Sequence, residues 1–119
     1  MVTTRLDNES TVIYYMISER FFKRPFIQFV KKAHKPLQLM IEDVVELICA
    51  DPQCGELKVG DLSGVRVYKF SFNRSQYLVA YQLTGSMNQA VFLAIEFIQI
   101  GSHEKFYESL KKYFREIKG

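Results

Sequence analysis

Residues 65–84 read VRVYKFSFNRSQYLVAYQLT, and this stretch gives the clearest indication of the fold. In residues 65–72 aromatic side chains alternate with smaller or polar ones, which predicts a strand with its aromatic rings on one face. Residues 73–75 (NRS) predict a turn, and the alternation in residues 76–84 predicts a second strand. The stretch is therefore expected to form an antiparallel hairpin with two chemically different faces.

Two helices are predicted upstream of this hairpin. Pro25 and Pro36 each suit the first turn of a helix, because the N–H that proline lacks has no partner there. After Pro36 the apolar residues recur at intervals of three and four up to Ile48, and the Asp-Pro step at 51–52 ends that helix. His34 lies in the joint between the helices and is interpreted as a solvated connector rather than a catalytic base.

Further segments extend the predicted order on both sides. Residues 11–17 (TVIYYMI) predict a first strand, and residues 90–100 predict a long central strand that is apolar on both faces. Residues 85–89 are expected to turn, and residues 101–102 are expected to open a final helix with the serine as its N-cap. Residues 1–10 are polar and are expected to be a flexible lead-in.

Length and composition agree with one small domain. The chain has 119 residues, of which 48% are hydrophobic and 24% charged, and these values exclude a wholly disordered chain. The predicted fold class is α+β, with two N-terminal helices packed on a small curved antiparallel sheet and a C-terminal helix, in a single domain over residues 1–119. The longest apolar run, residues 91–95, is far shorter than the ~20 residues that cross a bilayer, and the N-terminus has no signal-peptide pattern. A cytoplasmic protein without a membrane association is therefore expected.

The cysteines and histidines predict neither a disulfide scaffold nor a metal site. Cys49 and Cys54 are the only two cysteines, and their spacing matches no metal or redox motif. Cys49 is expected to be buried and Cys54 to be a loop thiol. Since His34 and His103 are the only histidines, no structural zinc site, no other metal and no cofactor are expected.

A basic and aromatic set carries the possible chemistry, because no nucleotide-binding loop, nucleophile elbow or paired-carboxylate motif is present. The net charge is +3, and residues 19–35 are strongly basic, which permits a polyanionic partner, although charge alone favours a solvated helix face. RNA cleavage without a metal requires a base, an acid and cations near the phosphorus. The candidate residues are Lys58, Arg66, Lys69, Arg74, Tyr77, Tyr81, His103, Lys105 and Tyr107.

Residues 51–81 (DPQCGELKVGDLSGVRVYKFSFNRSQYLVAY) resemble the RelE/ParE superfamily of toxins from bacterial type II toxin–antitoxin systems. Members of that superfamily have a dP..G.. loop, an L.G…YK strand and a gYR..Y strand. Residues 100–113 (IGSHEKFYESLKKY) are similar to its last strand and final helix, so the resemblance covers residues 12–118. It implies the RelE/ParE-like fold and a growth-arresting toxin neutralised by a cognate antitoxin. RelE-like members cleave mRNA on the ribosome without a metal, whereas ParE-like members poison DNA gyrase.

The resemblance also implies roles for individual residues. Lys69 matches the lysine that RelE-like nucleases place near the scissile phosphate. His103 falls where a strand-end arginine or histidine lies, and Tyr107 approximates the C-terminal catalytic tyrosine. These three are the expected catalytic residues, and the expected RNA- or phosphate-binding residues are Lys58, Arg66, Arg74 and Lys105.

Two departures from the superfamily pattern keep alternatives open. Ser71 stands where RelE-like nucleases have a second basic residue, and Leu78 replaces the arginine of the gYR pattern. Fewer cations would stabilise the charge that develops on the phosphorane. The leading hypothesis is a metal-independent endoribonuclease that cleaves mRNA on the ribosome and inhibits translation. The alternatives are a ParE-like gyrase poison without nuclease activity, and a non-catalytic RNA-binding domain that uses the basic patch between Arg20 and Lys35.

Overall fold

A six-stranded sheet with the strand order β1-β2-β6-β5-β4-β3 forms the centre of the fold. The structure, a computed structural model, describes the backbone of residues 2–8, 11–84 and 92–118 and the side chains of residues 19–84 and 94–117. The strands are β1 (Val2–Asn8), β2 (Thr11–Phe22), β3 (Glu56–Leu57), β4 (Arg66–Phe72), β5 (Ser75–Thr84) and β6 (Phe92–Ser102). The helices are α1 (Arg24–Lys32), α2 (Lys35–Ala50) and α3 (Phe106–Lys118), and a single 3₁₀ turn covers Gly60–Leu62. The predicted α+β class is confirmed.

The hairpin predicted from residues 65–84 is present. β4 and β5 pair antiparallel, and Phe72 lies opposite Ser75 at the tight end. The two residues between them, Asn73 and Arg74, both have positive φ angles, of 50° and 68°. Such a two-residue turn with left-handed backbone matches the right-handed twist of the paired strands.

Helices cover both faces of the sheet, and each face has its own apolar core. We call the side under α1 and α2 the helix-pair face, where Phe26 and Ile48 pack with Tyr81 and Phe97. We call the opposite side the α3 face. Its core is formed by Val67, Leu78, Ala80, Ile98, Phe106 and Leu110, together with Leu62 and Val65. Both helices of the pair were predicted from the sequence, and both begin with proline in the first turn.

The predicted purely antiparallel sheet is wrong, and two strands rather than the one predicted precede the helices. β1 and β2 both precede α1. β2 pairs antiparallel with β1, but it runs parallel to β6, with Ile17 opposite Leu93 and Phe22 opposite Phe97. A parallel pairing joins segments that are distant along the chain, so no local pattern reveals it. Residues 1–10 were expected to be a flexible lead-in, but they contain β1. Backbone pairing with β2 stabilises this polar segment, and composition alone does not identify it as a strand.

The predicted start of the last helix is also wrong. β6 continues through Ser102, which lies opposite Tyr77, and α3 begins only at Phe106. The backbone of Ser102 pairs with β5 in the sheet, so Ser102 does not act as the N-cap of α3. Ile117, near the end of α3, is 59% exposed. The turn expected over residues 85–89 lies outside the described residues.

The remaining expectations on single side chains agree with the structure. Cys49 is buried, Cys54 is half-buried in the loop after α2, and both thiols are free. Burial raises the pKa of each thiol. His34 is exposed at the joint between α1 and α2, where its ring meets the edge of Phe72 at 6.1 Å between centroids.

Candidate functional site

Lys58 and Tyr107 meet on the α3 face. Lys58 follows β3, and its backbone N–H donates to the carbonyl of Val65 over 2.8 Å, which fixes the position of the residue beside β4. Its Nζ donates to the Glu56 carboxylate and lies 5.3 Å from the centre of the Tyr107 ring. Hydrogen bonds to Glu56 and to the Tyr107 hydroxyl raise the pKa of Lys58. The ammonium group therefore stays charged at neutral pH, next to a phenol.

Lys69 lies on the same face. Because side chains alternate along β4, Lys69 shares the side of Val67, which packs in the α3 core, while Phe70 packs in the helix-pair core. Lys69 is exposed. The pKa of Glu56 is lowered first by the hydrogen bond and charge of Lys58 and further by the charge of Lys69. Lys58 therefore binds this exposed carboxylate directly, at the edge of the sheet where β3 ends, and the charge of Lys69 acts on it more weakly.

His103 lies at the far end of this face. Lys69 is opposite Leu78 on β5, and Leu78 is opposite Gly101 on β6, so two strand spacings, roughly 10 Å, separate Lys69 from Gly101. His103 follows in the turn after β6 and is exposed. Within the described parts of the chain, no hydrogen bond or ion pair joins His103 to Lys69 or Tyr107. His103 is therefore close to these residues only through the course of β6, and its imidazole contacts neither Lys69 nor Tyr107 in the described structure.

Arg66 lies on the other side of the sheet. Its Nη1 donates to the carbonyl of Gly55 over 2.8 Å and to the carbonyl of Gln53 over 3.3 Å. In the alternation of β4 it shares the parity of Phe70, on the helix-pair face. The structure therefore separates Arg66 from Lys58, Lys69 and Tyr107, and its guanidinium holds the loop that precedes β3.

Arg74 and Lys105 are both exposed, on different turns. Arg74 is the second residue of the β4–β5 turn, with φ at 68°, a conformation in which glycine is normally preferred. A long cationic side chain at such a position costs backbone strain, and residues of this kind cluster at functional sites. Lys105 lies between β6 and α3, beside Ser102 in a cavity described below.

Tyr81, one of the candidate residues, is fully buried and holds the loop before β3. Its hydroxyl donates to the carbonyl of Pro52 and accepts from the backbone N–H of Gly55, each over 2.8 Å. Burial raises the pKa of this phenol. Tyr81 and Arg66 together fix the loop that leads into β3 and so position Lys58. The sequence signal was available, because a buried tyrosine hydroxyl requires a hydrogen-bond partner.

The positions of Ser71 and Leu78 matter for the charge of the site. Leu78 is 0% exposed and packs under α3, so this position directs no polar group toward the surface. Ser71 is exposed on the same face as Lys69. The described face therefore has its cations on β4 and after β3, with none on β5 at Leu78.

The described residues contain neither a grouping of metal-ligand side chains nor a helix suited to a bilayer. Within 2–8, 11–84 and 92–118, no three His, Cys, Asp or Glu side chains come together as metal ligands do. In the same part of the chain, none of the helices combines the length and the apolar character that a transmembrane span needs.

The comparisons with known proteins bear directly on this arrangement. A family model described as "ParE-like toxin of type II bacterial toxin-antitoxin system" matches residues 21–111, which include α1, α2, Lys58, Lys69 and the first turns of α3. No curated protein and no solved structure matches the chain significantly. The resemblance drawn from residues 51–81 and 100–113 is thereby confirmed. The chain belongs to the ParE-like toxins of bacterial type II toxin–antitoxin systems.

Proposed function

We propose that this toxin is a metal-independent endoribonuclease that cleaves mRNA on the ribosome and so inhibits translation. Family membership provides the toxin role and implies a cognate antitoxin as partner. The observation that supports the nuclease proposal is that Lys58, which binds Glu56, contacts Tyr107 on the α3 face, the face on which Lys69 is exposed. Lys58, Lys69 and Tyr107 are three of the residues that the sequence assigned to catalysis or RNA binding, and they come from three different elements.

The proposed reaction uses the 2′-hydroxyl of the substrate as its nucleophile. A base removes the hydroxyl proton, the 2′-oxygen bonds to the neighbouring phosphorus, and the bond from phosphorus to the 5′-oxygen breaks. An acid supplies a proton to the leaving 5′-oxygen, so the products are a 2′,3′-cyclic phosphate and a 5′-hydroxyl end. The base and the acid exchange one proton with the substrate each, and no oxidant or cofactor is consumed.

The residues of the α3 face match the needs of this reaction. Lys69 stabilises the negative charge on the phosphorane, with Lys58 and Arg74 binding flanking phosphates. His103 acts as general acid or base after β6, since an imidazole ring can both donate and accept a proton. Tyr107 orients the substrate or relays a proton. Because His103 is exposed, RNA bound between β4 and the end of β6 would complete the site.

A second candidate function is inhibition of DNA gyrase without nuclease activity. Its support is specific: Leu78 is buried where RelE-like nucleases carry an arginine, and Ser71 is neutral. A gyrase poison requires the scaffold and a binding surface but no acid–base pair. The third hypothesis, a non-toxic RNA-binding domain, loses its basis through family membership, and Arg20 of its basic patch is bound to Glu46.

One experiment separates the two toxin functions. Purified toxin is added to a translation system programmed with one mRNA, and the RNA ends are mapped; in parallel, the same toxin is added to gyrase with supercoiled DNA. The proposal predicts new mRNA ends within the translated region and no stabilised gyrase–DNA breaks. His103→Ala is expected to lose most of the cleavage. Intact mRNA together with gyrase-dependent DNA breaks would establish the second function instead.

A further inference from the structure

A cavity of about 400 Å³ opens where α1, the end of β6 and the first turns of α3 meet. Its apolar wall is formed by Phe29, Ile100 and Phe106. The polar side chains that line it are Gln28, Lys32, Gln99, Ser102, Lys105 and Ser109. The cavity therefore offers one aromatic wall and one polar wall, in a volume within the range of small-ligand pockets.

The charge of this cavity favours an anionic ligand. Lys32 and Lys105 contribute two positive charges, and none of the residues that line the cavity is acidic. A second cavity, of about 500 Å³ between β2, α1 and α2, differs because Glu42, Asp43 and Glu46 line it together with Arg20 and Lys31. Cavity walls of one sign concentrate ions of the opposite sign, so phosphate groups are attracted to the first cavity and not to the second.

Gln99 gives the polar wall a fixed orientation. Its side chain is buried, with 7% exposure of the residue, and its Nε2 donates to the carbonyl of Phe106 over 3.0 Å. That bond fixes which end of the amide is the oxygen, because a carbonyl accepts only from the amide nitrogen. Among the described residues the amide oxygen has no hydrogen-bond partner. An amide held in this way can accept from the ring or exocyclic N–H of a nucleobase.

Phe29 provides the complementary surface for a base. It is half-buried on α1, where its ring contacts the edge of Tyr77 with 6.1 Å between centroids. This contact restricts the ring while the cavity side remains accessible. Stacking of a base on a held aromatic ring is a usual component of single-strand RNA recognition.

We propose that this cavity binds one nucleotide of single-stranded RNA, with the base between Phe29 and Gln99 and its phosphate near Lys32 and Lys105. The placement deepens the nuclease function and rests on it, because Ser102 lines the cavity and the next residue is His103. The bound nucleotide lies beside the scissile phosphate and sets the base preference of cleavage. The same chemistry describes a free nucleoside monophosphate, so the experiment includes both ligands.

The test uses neighbouring lysines that differ only in which cavity they line. Lys31 and Lys32 are both exposed in the last turn of α1, but Lys32 lines this cavity and Lys31 lines the acidic one. Binding of a fluorescent five-nucleotide RNA and of AMP, CMP, GMP and UMP is measured for the wild type, Lys32→Glu and Lys31→Glu. Loss of one phosphate contact and its replacement by repulsion predict a weakening of about tenfold for Lys32→Glu. Lys31→Glu is expected to stay within about twofold.

A second pair of variants tests whether the weaker RNA binding is limited to changes in α1. Lys105→Glu is expected to weaken RNA binding as Lys32→Glu does, whereas Lys112→Glu, on α3 and outside the residues that line the cavity, is expected to match the wild type. Equal weakening by the cavity and control variants would overturn the proposal, because general charge would then explain it. Binding of free monophosphates without binding of RNA would overturn the assignment to RNA.

The cleavage readout separates this inference from the nuclease proposal. If the cavity variants bind RNA more weakly and the wild type cleaves no mRNA, the cavity stands and the nuclease function fails. If the wild type cleaves mRNA while Lys32→Glu leaves RNA affinity and the mapped base preference unchanged, the cavity proposal fails alone. The expected result is weaker binding with cleavage that spreads over more sequences.

Discussion

The Nζ of Lys58 lies 5.3 Å from the centre of the Tyr107 ring, and this contact joins the segment after β3 to the first turn of α3. Two elements that are far apart in the sequence therefore meet at a cation and a phenol. The same ammonium group binds Glu56, whose pKa Lys69 also lowers. Contacts through Lys58 thus connect Glu56 with Tyr107 at the edge of the sheet.

Lys58 and Tyr107 are expected to be coupled in folding. A cation over an aromatic ring contributes about 0.5–1 kcal/mol at a site in contact with solvent, and Lys58 and Tyr107 are both half-buried, so the double variant Lys58→Met with Tyr107→Leu should lose less than the sum of the single losses. Urea unfolding of the wild type, both single variants and the double variant measures this coupling. Lys112→Met combined with Tyr107→Leu is the control and should be additive. Additive losses for the first pair as well would show that the contact contributes nothing.

Gly55→Ala is expected to destabilise the protein. A Cβ at this position would lie 2.7 Å from the hydroxyl oxygen and 2.8 Å from Cε1 of Tyr81, closer than such atoms approach. Because Tyr81 is fully buried and bonded to Pro52, relief requires a shift of the loop, at a cost of about 1–3 kcal/mol. Gly101→Ala is the matched control, since its nearest atom would be 3.9 Å away. Equal denaturation midpoints for the two variants would contradict this reading of the loop.

Much of the fold could be predicted because its signals are local. Proline in the first turn and apolar spacing identify α1 and α2, and alternation identifies the β4–β5 hairpin. The pairing of β2 with β6 could not be predicted, because the residue pattern of neither strand indicates which other strand lies next to it. The start of α3 was misplaced for a related reason: Ser102 is a good N-cap by type, but pairing with Tyr77 keeps it in β6.

The candidate site was predictable in part. Residue type and strand parity place Lys69 on the face opposite Phe70, and family resemblance brought Tyr107 into the set. The contact between Lys58 and Tyr107 could not be read from the chain, because it depends on how α3 crosses the sheet. Arg66 was grouped with the phosphate-binding residues by its charge, but its bonds to the loop carbonyls at Gln53 and Gly55 depend on which face it occupies.

Tyr81 is expected to make the stability of the toxin fall above pH 10. Its ordinary pKa is 10.0 and burial raises the pKa in the folded state, so unfolding releases a proton at alkaline pH. The contribution is present below pH 10 and is lost as the pH rises, by up to about 1.4 kcal/mol per pH unit. Urea unfolding between pH 8 and 11 should give a steeper decline for the wild type than for Tyr81→Phe. Parallel declines would assign the alkaline loss to other groups.

Arg74→Gly is expected to change stability and activity in opposite directions. Glycine accepts the φ of 68° without the strain that a side chain causes there, so the variant should gain about 0.5–1 kcal/mol. If Arg74 binds phosphate, mRNA cleavage should fall by about tenfold. Asn73→Gly, at a φ of 50°, is the control and should leave cleavage unchanged. Full cleavage by Arg74→Gly would remove Arg74 from the RNA-binding residues.

The most direct test of a nuclease site on the α3 face is the rate at which Lys69→Ala cleaves mRNA in a translation system. Lys69 is exposed on the α3 face, so its removal should leave the fold intact while the phosphorane loses its nearest cation. Cleavage should fall by about a hundredfold or more relative to the wild type, with Lys112→Ala cleaving at the wild-type rate. Equal rates for Lys69→Ala and the wild type would contradict a nuclease site on this face.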